Sequence, residues 1–368
     1  MRKLKILYVG PDYQGSNGTC WRNAFQRLGH EVLTVDDERV IPEPSTLVGR
    51  IAKKLDKRPP QWAIDQLNGH LRKAITDFKP DFTFYIKAYY VEPQTLELSR
   101  QYGPNFAYMN DDMFNPWCQT HLFFENIRRL DIVFTTKSYN VREFHRHGTP
   151  LALYIPNSYD PDIHFPAKPS AEERSQMEGD VAFIGTFRVP RADFLARLAH
   201  LRSELKLNVW GTGWSKLSRF DHWPRWFAWK DLRTCIRGKE LWCADMGKAI
   251  QANAISLGLL CHENRDLHTS RTFEIPACGG FMLAERSEEH RLYFTEDKEA
   301  VYFHSFEEML DKIRFYVGHP EARQRVAQAG YERCIRSKAT YVDRAQFAIE
   351  QFQLLRPVQF SGKGVPSF

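Results

Sequence analysis

The sequence predicts an α/β protein built from two doubly wound, Rossmann-like domains. Three observations predict it: a strand, a glycine loop and a helix in succession at the start of the chain, the same succession again near residue 180, and a proline-rich passage without periodicity between them. The length agrees, because 368 residues exceed one ordinary domain and suffice for two separate cores.

The first succession begins with the apolar run Lys5 to Val9, of the kind that makes a buried parallel strand. It ends in Gly10-Pro11 and Gly15-Ser16-Asn17-Gly18, and a helical pattern follows from Cys20 to Leu28. Gly29-His30 stops that helix, and Glu31 to Asp36 reads as the next strand, giving a βαβ unit with a right-handed crossover. Phe82 to Ile86, Asn105 to Met109, Ile132 to Thr136 and Ala152 to Ile155 continue the sheet, with helical patterns between them. Tyr159-Asp160-Pro161-Asp162 and Pro166-Ala167-Lys168-Pro169 form the linker. The second succession is the strand and loop Asp180 to Phe187, the helix Ala192 to Glu204, and the strand Leu207 to Trp210 ending in Gly211-Thr212-Gly213. Ile255 to Leu260 and Phe281 to Ala284 are strand-like, and helices over 305–317, 320–336 and 341–355 close the chain. The expected division is therefore 1–165, 166–340, and a C-terminal crossing helix with its tail over 341–368, with ligands outside the carboxyl ends of the strands.

Composition limits the function classes. A chain with 43% hydrophobic and 26% charged residues folds rather than staying disordered. No apolar run reaches the roughly 20 residues of a membrane span, and the N-terminus turns into strand and glycine loop too soon for a secretory signal, so a cytoplasmic location is expected. The seven cysteines are scattered without a Cys-x-x-Cys pair, which predicts buried thiols and neither a disulfide framework nor a zinc site. A net charge of +6 suits a phosphate-rich ligand or an anionic surface without choosing between them.

Residues His268-Thr269-Ser270-Arg271-Thr272-Phe273-Glu274-Ile275-Pro276-Ala277-Cys278-Gly279-Gly280 resemble the donor-site signature Arg-x-Phe-Glu-x-x-Ala-Cys-Gly of the CgeB-like glycosyltransferases, relatives of the retaining family-four group. Ser305 to Met309, His319 to Arg323 and Thr340-Tyr341-x-x-Arg344 are similar to that family's C-terminal landmarks. Asp111 to Pro116, Thr135 to Val141 and Tyr159-Asp160-Pro161 look like its landmarks in the first domain. The resemblance implies a GT-B fold, two domains facing a central cleft. It also implies a nucleoside-diphosphate sugar as co-substrate, no other cofactor and no metal, and a glycan, lipid-linked saccharide or glycoconjugate as acceptor.

The residues themselves support an anion seat. A helix beginning near Ser270 would aim its N–H groups and positive end at a diphosphate, with His268 and Thr269 just before it and Arg271 adding fixed charge. Glu274 either accepts both ribose hydroxyls, the role that the resemblance favours, or pairs with Arg271 at i, i+3. Seven residues separate Asp266 from Glu274, the family-four spacing of an acidic pair, with Asp in place of the usual Glu. The resemblance implies a place for it beside the donor sugar.

Further site candidates come from loops that follow strands. Gly185, Thr186 and Arg188, with Arg191, sit in a loop whose backbone can approach a phosphate and whose cations can neutralise a leaving diphosphate. Gly211 offers a shorter version, Lys248 a diphosphate contact, and Gly15 a first-domain loop without the Gly-x-Gly-x-x-Gly spacing of a dinucleotide site. Asp111 and Asp112 end a strand, and one of them is expected to face the cleft as an acceptor or base residue rather than as a metal ligand.

The stretch 214–239 interleaves Trp214, Phe220, Trp223, Trp226, Phe227 and Trp229 with seven basic residues. Its two readings are an interfacial contact on the inner face of a membrane, or a core cap with a wet rim; no nucleic-acid module is recognised. The function expected is glycosyl transfer to a hydroxyl. The rivals are a sugar-nucleotide epimerase or hydrolase of the same fold and a non-catalytic nucleotide-sugar-binding scaffold.

Overall fold

A computed structural model describes residues 2–40, 59–238 and 240–360, with the side chains of 220, 221 and 356–360 left aside. Lys239 of the aromatic stretch and 361–368 of the expected tail lie outside the described residues. The chain divides into two compact units, residues 1–156 with 341–368, and residues 157–340.

The first unit holds a six-stranded parallel sheet: β1 (Lys5–Val9), β2 (Glu31–Val35), β3 (Phe82–Ile86), β4 (Asn105–Met109), β5 (Ile132–Thr135) and β6 (Leu151–Tyr154). Its spatial order is β2-β1-β3-β4-β5-β6, so the direction of winding reverses between β1 and β3. Strands β3, β4 and β5 are buried along their whole length, which is why they read as unbroken apolar runs. One face carries a stack of large rings. Trp21 lies 4.7 Å from Phe84 and 5.1 Å from Tyr108 between ring centres, and the C-terminal helix Tyr341–Phe360 returns to this unit to add Tyr341 and Phe352 to the stack.

The second unit repeats the plan with β7 (Gly179–Ile184), β8 (Leu207–Trp210), β9 (Ile236–Gly238), β10 (Asn253–Gly258), β11 (Met282–Glu285) and β12 (Val301–Phe303). The spatial order β12-β11-β10-β7-β8-β9 is that of the dinucleotide-binding sheet, with its switch point between β7 and β10. Apolar side chains of β7 and β11 fill cores on both faces, and those of β10 fill one of them.

Residues 157–165, expected with the first domain, pack on the second unit instead. Tyr159 pairs with Thr340 in an isolated bridge, its N–H donating to the Ala339 carbonyl at 3.2 Å, and His164 reaches Glu274. The proline-rich composition marked a segment without periodicity but carried no information about which core it joins. All seven cysteines are free thiols, five of them buried. No helix among the described residues is long and apolar enough to cross a membrane.

Candidate nucleotide-sugar site

Two glycine loops meet at the carboxyl ends of β7 and β8. Gly211 has φ +138°, and a Cβ there would come within 2.1 Å of the Gly185 carbonyl oxygen, so the loops approach as closely as they do because Gly211 carries no side chain at the contact. The Gly185 N–H donates to the Trp210 carbonyl at 2.9 Å, and the Trp214 indole N–H donates to the Gly185 carbonyl at 2.9 Å. Thr186 and Arg188 are exposed at the tip, and Arg188 leads into the helix Val189–Ala199.

Arg191 closes the switch point from inside. Its guanidinium donates to the Leu259 carbonyl at 3.0 Å and the Leu260 carbonyl at 3.3 Å, tying the β7 loop to the end of β10, and burial lowers its pKa. Of the two arginines proposed for the diphosphate, Arg191 is thus committed to backbone carbonyls. Arg188 presents the exposed charge.

Beyond β10 the chain turns through His262–Asn264 and Arg265, which has φ +48°. The Asp266 carboxylate accepts the Cys261 N–H at 3.2 Å and is half-buried. The helix Arg271–Ala277 then begins at Ser270. Arg271 spans two elements, with Nε donating to the Ile184 carbonyl at the end of β7 at 2.9 Å and Nη1 donating to Glu274. Glu274 is 3% exposed. Its other oxygen lies 3.5 Å from His164 Nε2, while His164 Nδ1 accepts the Asp160 N–H at 3.0 Å. Nδ1 is therefore unprotonated, and burial depresses the His164 pKa, so the ring is neutral with its proton on Nε2, the nitrogen that faces Glu274. Burial alone would raise the Glu274 carboxyl, but Arg271 and then His164 outweigh it and hold it below the ordinary carboxylate range.

His268 is fully buried and does not present itself to a ligand. Its Nε2 accepts the Asn157 N–H at 2.9 Å, which puts the proton on Nδ1, 2.5 Å from Glu289. The residue expected to touch the donor instead fastens the loop to Asn157, where the second unit begins. Thr269 is braced similarly. Its N–H donates to the Thr272 hydroxyl at 3.1 Å, which lies 2.9 Å from His290 Nε2, and His290 Nδ1 donates to the Glu285 carbonyl at 2.7 Å. Burial pushes the His290 imidazole down to about 4, so the ring is neutral.

The structure does not bring Lys248 to this loop. Its ammonium lies 2.6 Å from Glu173 and 3.3 Å from Asp245, and the pairing with Glu173 raises its pKa, so its charge is already neutralised. A pocket of about 520 Å³ opens at the opposite edge of the same sheet, where β7 and β10 begin, and is lined by Asp180, Lys206, Asn253 and Arg323. Of the donor signature it touches only Gly279 and Gly280, beyond the C-terminal end of the helix that Arg271 begins.

In the first unit the two acids after β4 part company, as consecutive residues at a strand end do. Asp112 is 1% exposed and accepts the Asn140 side-chain amide at 3.0 Å and the Phe114 N–H at 3.3 Å, so it holds the loop, and of the pair expected to give one cleft residue Asp111 is the more exposed. Asp111 is half-buried and ion-paired with Lys87. Burial alone would lower the Lys87 pKa, but Asp111 and Tyr89 outweigh it and raise it. Gly15, with φ +84°, precedes Ser16, whose hydroxyl caps the helix Asn17–Arg27 by accepting the Thr19 N–H at 3.0 Å. Among the described residues, no group of three or more His, Cys, Asp or Glu side chains is arranged to hold a metal ion.

Asn157, Asp160, His164, Lys87, Glu289 and His290 were not legible as site residues. Each sits in a loop or at a helix start among other polar residues, and nothing in the local pattern shows which partner it meets.

Comparison with known proteins supplies the setting. Residues 189–350 match the model of the Glycosyl transferase-like family. Spore protein CgeB of Bacillus subtilis (strain 168) is 32% identical over 66 residues, which is 18% of this chain and only 19% of that protein's length. Anabaena HepE, solved in complex with UDP-glucose, superposes with a TM-score of 0.64 at 11% identity, covering 95% of this chain and 99% of HepE. Sucrose-phosphate synthase from Thermosynechococcus elongatus superposes with a TM-score of 0.65 at 12% identity, covering 98% and 100%. At such identities the likeness establishes the fold, which is GT-B.

Proposed function

We propose, from the Glycosyl transferase-like match over residues 189–350 and the GT-B fold, that the protein transfers a glycosyl group from a nucleoside-diphosphate sugar to a hydroxyl of a glycan, lipid-linked saccharide or other glycoconjugate. The observation that carries this reading is the placement of Arg271. It bridges the end of β7 and Glu274 at the switch point, the position where such sheets take their ligands. Two contacts do not exhaust the guanidinium's five N–H donors, so the rest can meet a diphosphate. Arg188 adds a second charge from the neighbouring loop. Both would stabilise the nucleoside diphosphate as it leaves, in the role a divalent cation fills elsewhere, so transfer is expected to persist in excess chelator.

Glu274 serves Arg271 first. Its carboxylate holds the arginine in one orientation, and the lone pairs not taken by Arg271 and His164 are the ones that would accept ribose hydroxyls. Thr186, Thr269 and Ser270 provide hydroxyl and backbone donors around the same point, and Asp266 is assigned to the donor sugar. On the acceptor side, Asp111 is better suited to binding a hydroxyl than to removing its proton, because its carboxylate is already engaged by the Lys87 ammonium.

The test is a thermal-shift panel of nucleoside diphosphates and their sugars, followed by product analysis with and without acceptors. UDP-glucose, the ligand of HepE, is the first donor to try. The reading expects a raised melting temperature with one nucleotide class and a glycosylated product that requires acceptor. Acceptor-independent turnover would instead mark a hydrolase or epimerase. Binding without any turnover would mark a scaffold.

A further inference from the structure

Between β8 and β9 the chain makes two short 3-10 helices, Trp214–Ser218 and Phe220–Arg225, and then the helix Lys230–Cys235. The aromatic residues here divide into two tiers. Trp214, Leu217 and Trp229 are buried in the core of the second unit, and the Trp229 indole N–H donates to Asp193 at 2.9 Å. Core packing explains this lower tier completely.

It does not explain the upper tier. Residues 223–228, Trp-Pro-Arg-Trp-Phe-Ala, are all exposed, with Trp223 at 62%, Trp226 at 37% and Phe227 at 79%. Their backbone is nonetheless fixed. The Trp226 indole N–H donates to the Arg219 carbonyl at 2.8 Å, Arg233 donates to the Trp226 carbonyl at 2.7 Å, and Trp229 is anchored below. The result is a rigid knob presenting large rings to the surroundings, and a group of this size on a protein surface marks an interaction site.

The charge around the knob identifies the partner. Lys216, Arg219, Arg225 and Lys230 are exposed along the same stretch, Arg225 facing Asp193 at 3.4 Å, and the Lys230 ammonium lies 4.8 Å from the centre of the Phe227 ring. The stretch 214–239 has seven basic residues against two acidic ones. One of those acids, Asp231, is 7% exposed and turned towards His200 and Arg202, where it does not offset the rim. Trp and Phe inside a ring of Lys and Arg match the region of a bilayer where acyl chains meet anionic headgroups, because the rings enter the interface while the cations stay at phosphate level. Pro224 excludes a long amphipathic helix, but a fixed knob has no need of one.

We propose that residues 214–237 form a docking surface for an anionic lipid bilayer, inserting Trp223 and Phe227 and binding headgroup phosphates through the surrounding cations. The surface follows the carboxyl end of β8, the same edge of the sheet as the glycine loops of the candidate donor site. It would hold that edge against a membrane whatever chemistry the site performs.

Flotation of the full chain with vesicles tests the proposal. Vesicles of phosphatidylglycerol with phosphatidylcholine are expected to carry the protein at least about tenfold better than phosphatidylcholine alone, and salt is expected to weaken the binding. Trp223→Ser with Phe227→Ser, and separately Lys216→Glu with Lys230→Glu, should each lower partitioning by about tenfold or more. These side chains are exposed, so the melting temperature and the thermal shift given by nucleoside diphosphates should stay unchanged, which keeps this test separate from that of the donor site. The proposal is overturned if the unaltered chain does not float with anionic vesicles, or if both variants float as well as it does. It is equally overturned if the substitutions abolish binding to an oligonucleotide while leaving vesicle binding intact.

Discussion

The two units build the same kind of sheet and finish their switch points differently. In the second unit the loops are braced from every side: Gly211 against Gly185, Arg191 across to Leu259 and Leu260, Arg271 across to Ile184, Glu274 between Arg271 and His164, and His268 between Asn157 and Glu289. In the first unit, the Gly10–Gly15 loop is held by the capping of Ser16, by Tyr8 and Thr19 on the Pro11 and Tyr13 carbonyls and by the Arg22–Asp12 ion pair, and the ends of β3 and β4 by the Asp112–Asn140 contact and the Lys87–Asp111 ion pair, but Tyr13 and Gln14 at the loop tip are exposed. A buried, braced loop holds one geometry, which suits a ligand portion that never varies, such as a nucleoside diphosphate. A loop with an exposed tip suits an acceptor. Six substitutions at five positions can break or sharpen this contrast.

The largest effect is expected for Gly211→Ala. A methyl group cannot stand 2.1 Å from a backbone oxygen at φ +138° without displacing a strand end, so the loss should exceed about 4 kcal/mol in denaturant unfolding. Gly15→Ala, at φ +84° in the first unit, should cost about 1 kcal/mol. Equal costs would erase the distinction between the loops.

Next comes Arg271→Ala, which strands a buried carboxylate. It should cost about 3 kcal/mol and abolish the thermal shift given by nucleoside diphosphates. Arg271→Lys should recover little of either, because one ammonium cannot reproduce the planar fork between Ile184 and Glu274. Recovery by Lys would mean that charge alone matters at this position.

His290 makes the bracing sensitive to pH. Its imidazole titrates near 6.5 in the unfolded chain and near 4 in the folded one, so the stability it supports is complete above about pH 6.5 and is lost as pH falls towards 4. The loss over that window should be about 2–3 kcal/mol, and His290→Gln should remove this component from the melting-temperature profile. An unchanged profile in the variant would assign the acid sensitivity to another group.

Asp111→Asn should have the smallest effect on folding, below about 1 kcal/mol, since its ion pair is partly solvated. Its consequence should appear in catalysis as a higher KM for acceptor with an unaltered thermal shift by nucleotide. A weakened nucleotide shift would move Asp111 to the donor side.

Much of the fold was legible because buried parallel strands leave continuous apolar runs. Lys5–Val9, Phe82–Ile86, Asn105–Met109 and Leu207–Trp210 could be read to the residue. The ownership of 157–165 was hidden, because what draws it to the second unit is a set of single polar contacts, Asn157 to His268 and His164 to Glu274, spanning about a hundred residues of chain. The same cause explains the site. Arg271 and Glu274 were visible as a pair at i, i+3, but not their burial or their third partner. Lys248 looked available because nothing in the sequence showed that Glu173 would meet it. The aromatic stretch was ambiguous because its rings divide, with one tier in the core and the other on the surface.

Amide hydrogen exchange with and without a nucleoside diphosphate tests most directly the assignment of the donor to the second unit. Protection is expected in peptides covering 184–191, 211–213 and 260–275, with those covering 84–91 and 105–115 unchanged. Protection centred on 84–115, with none over 260–275, would contradict it.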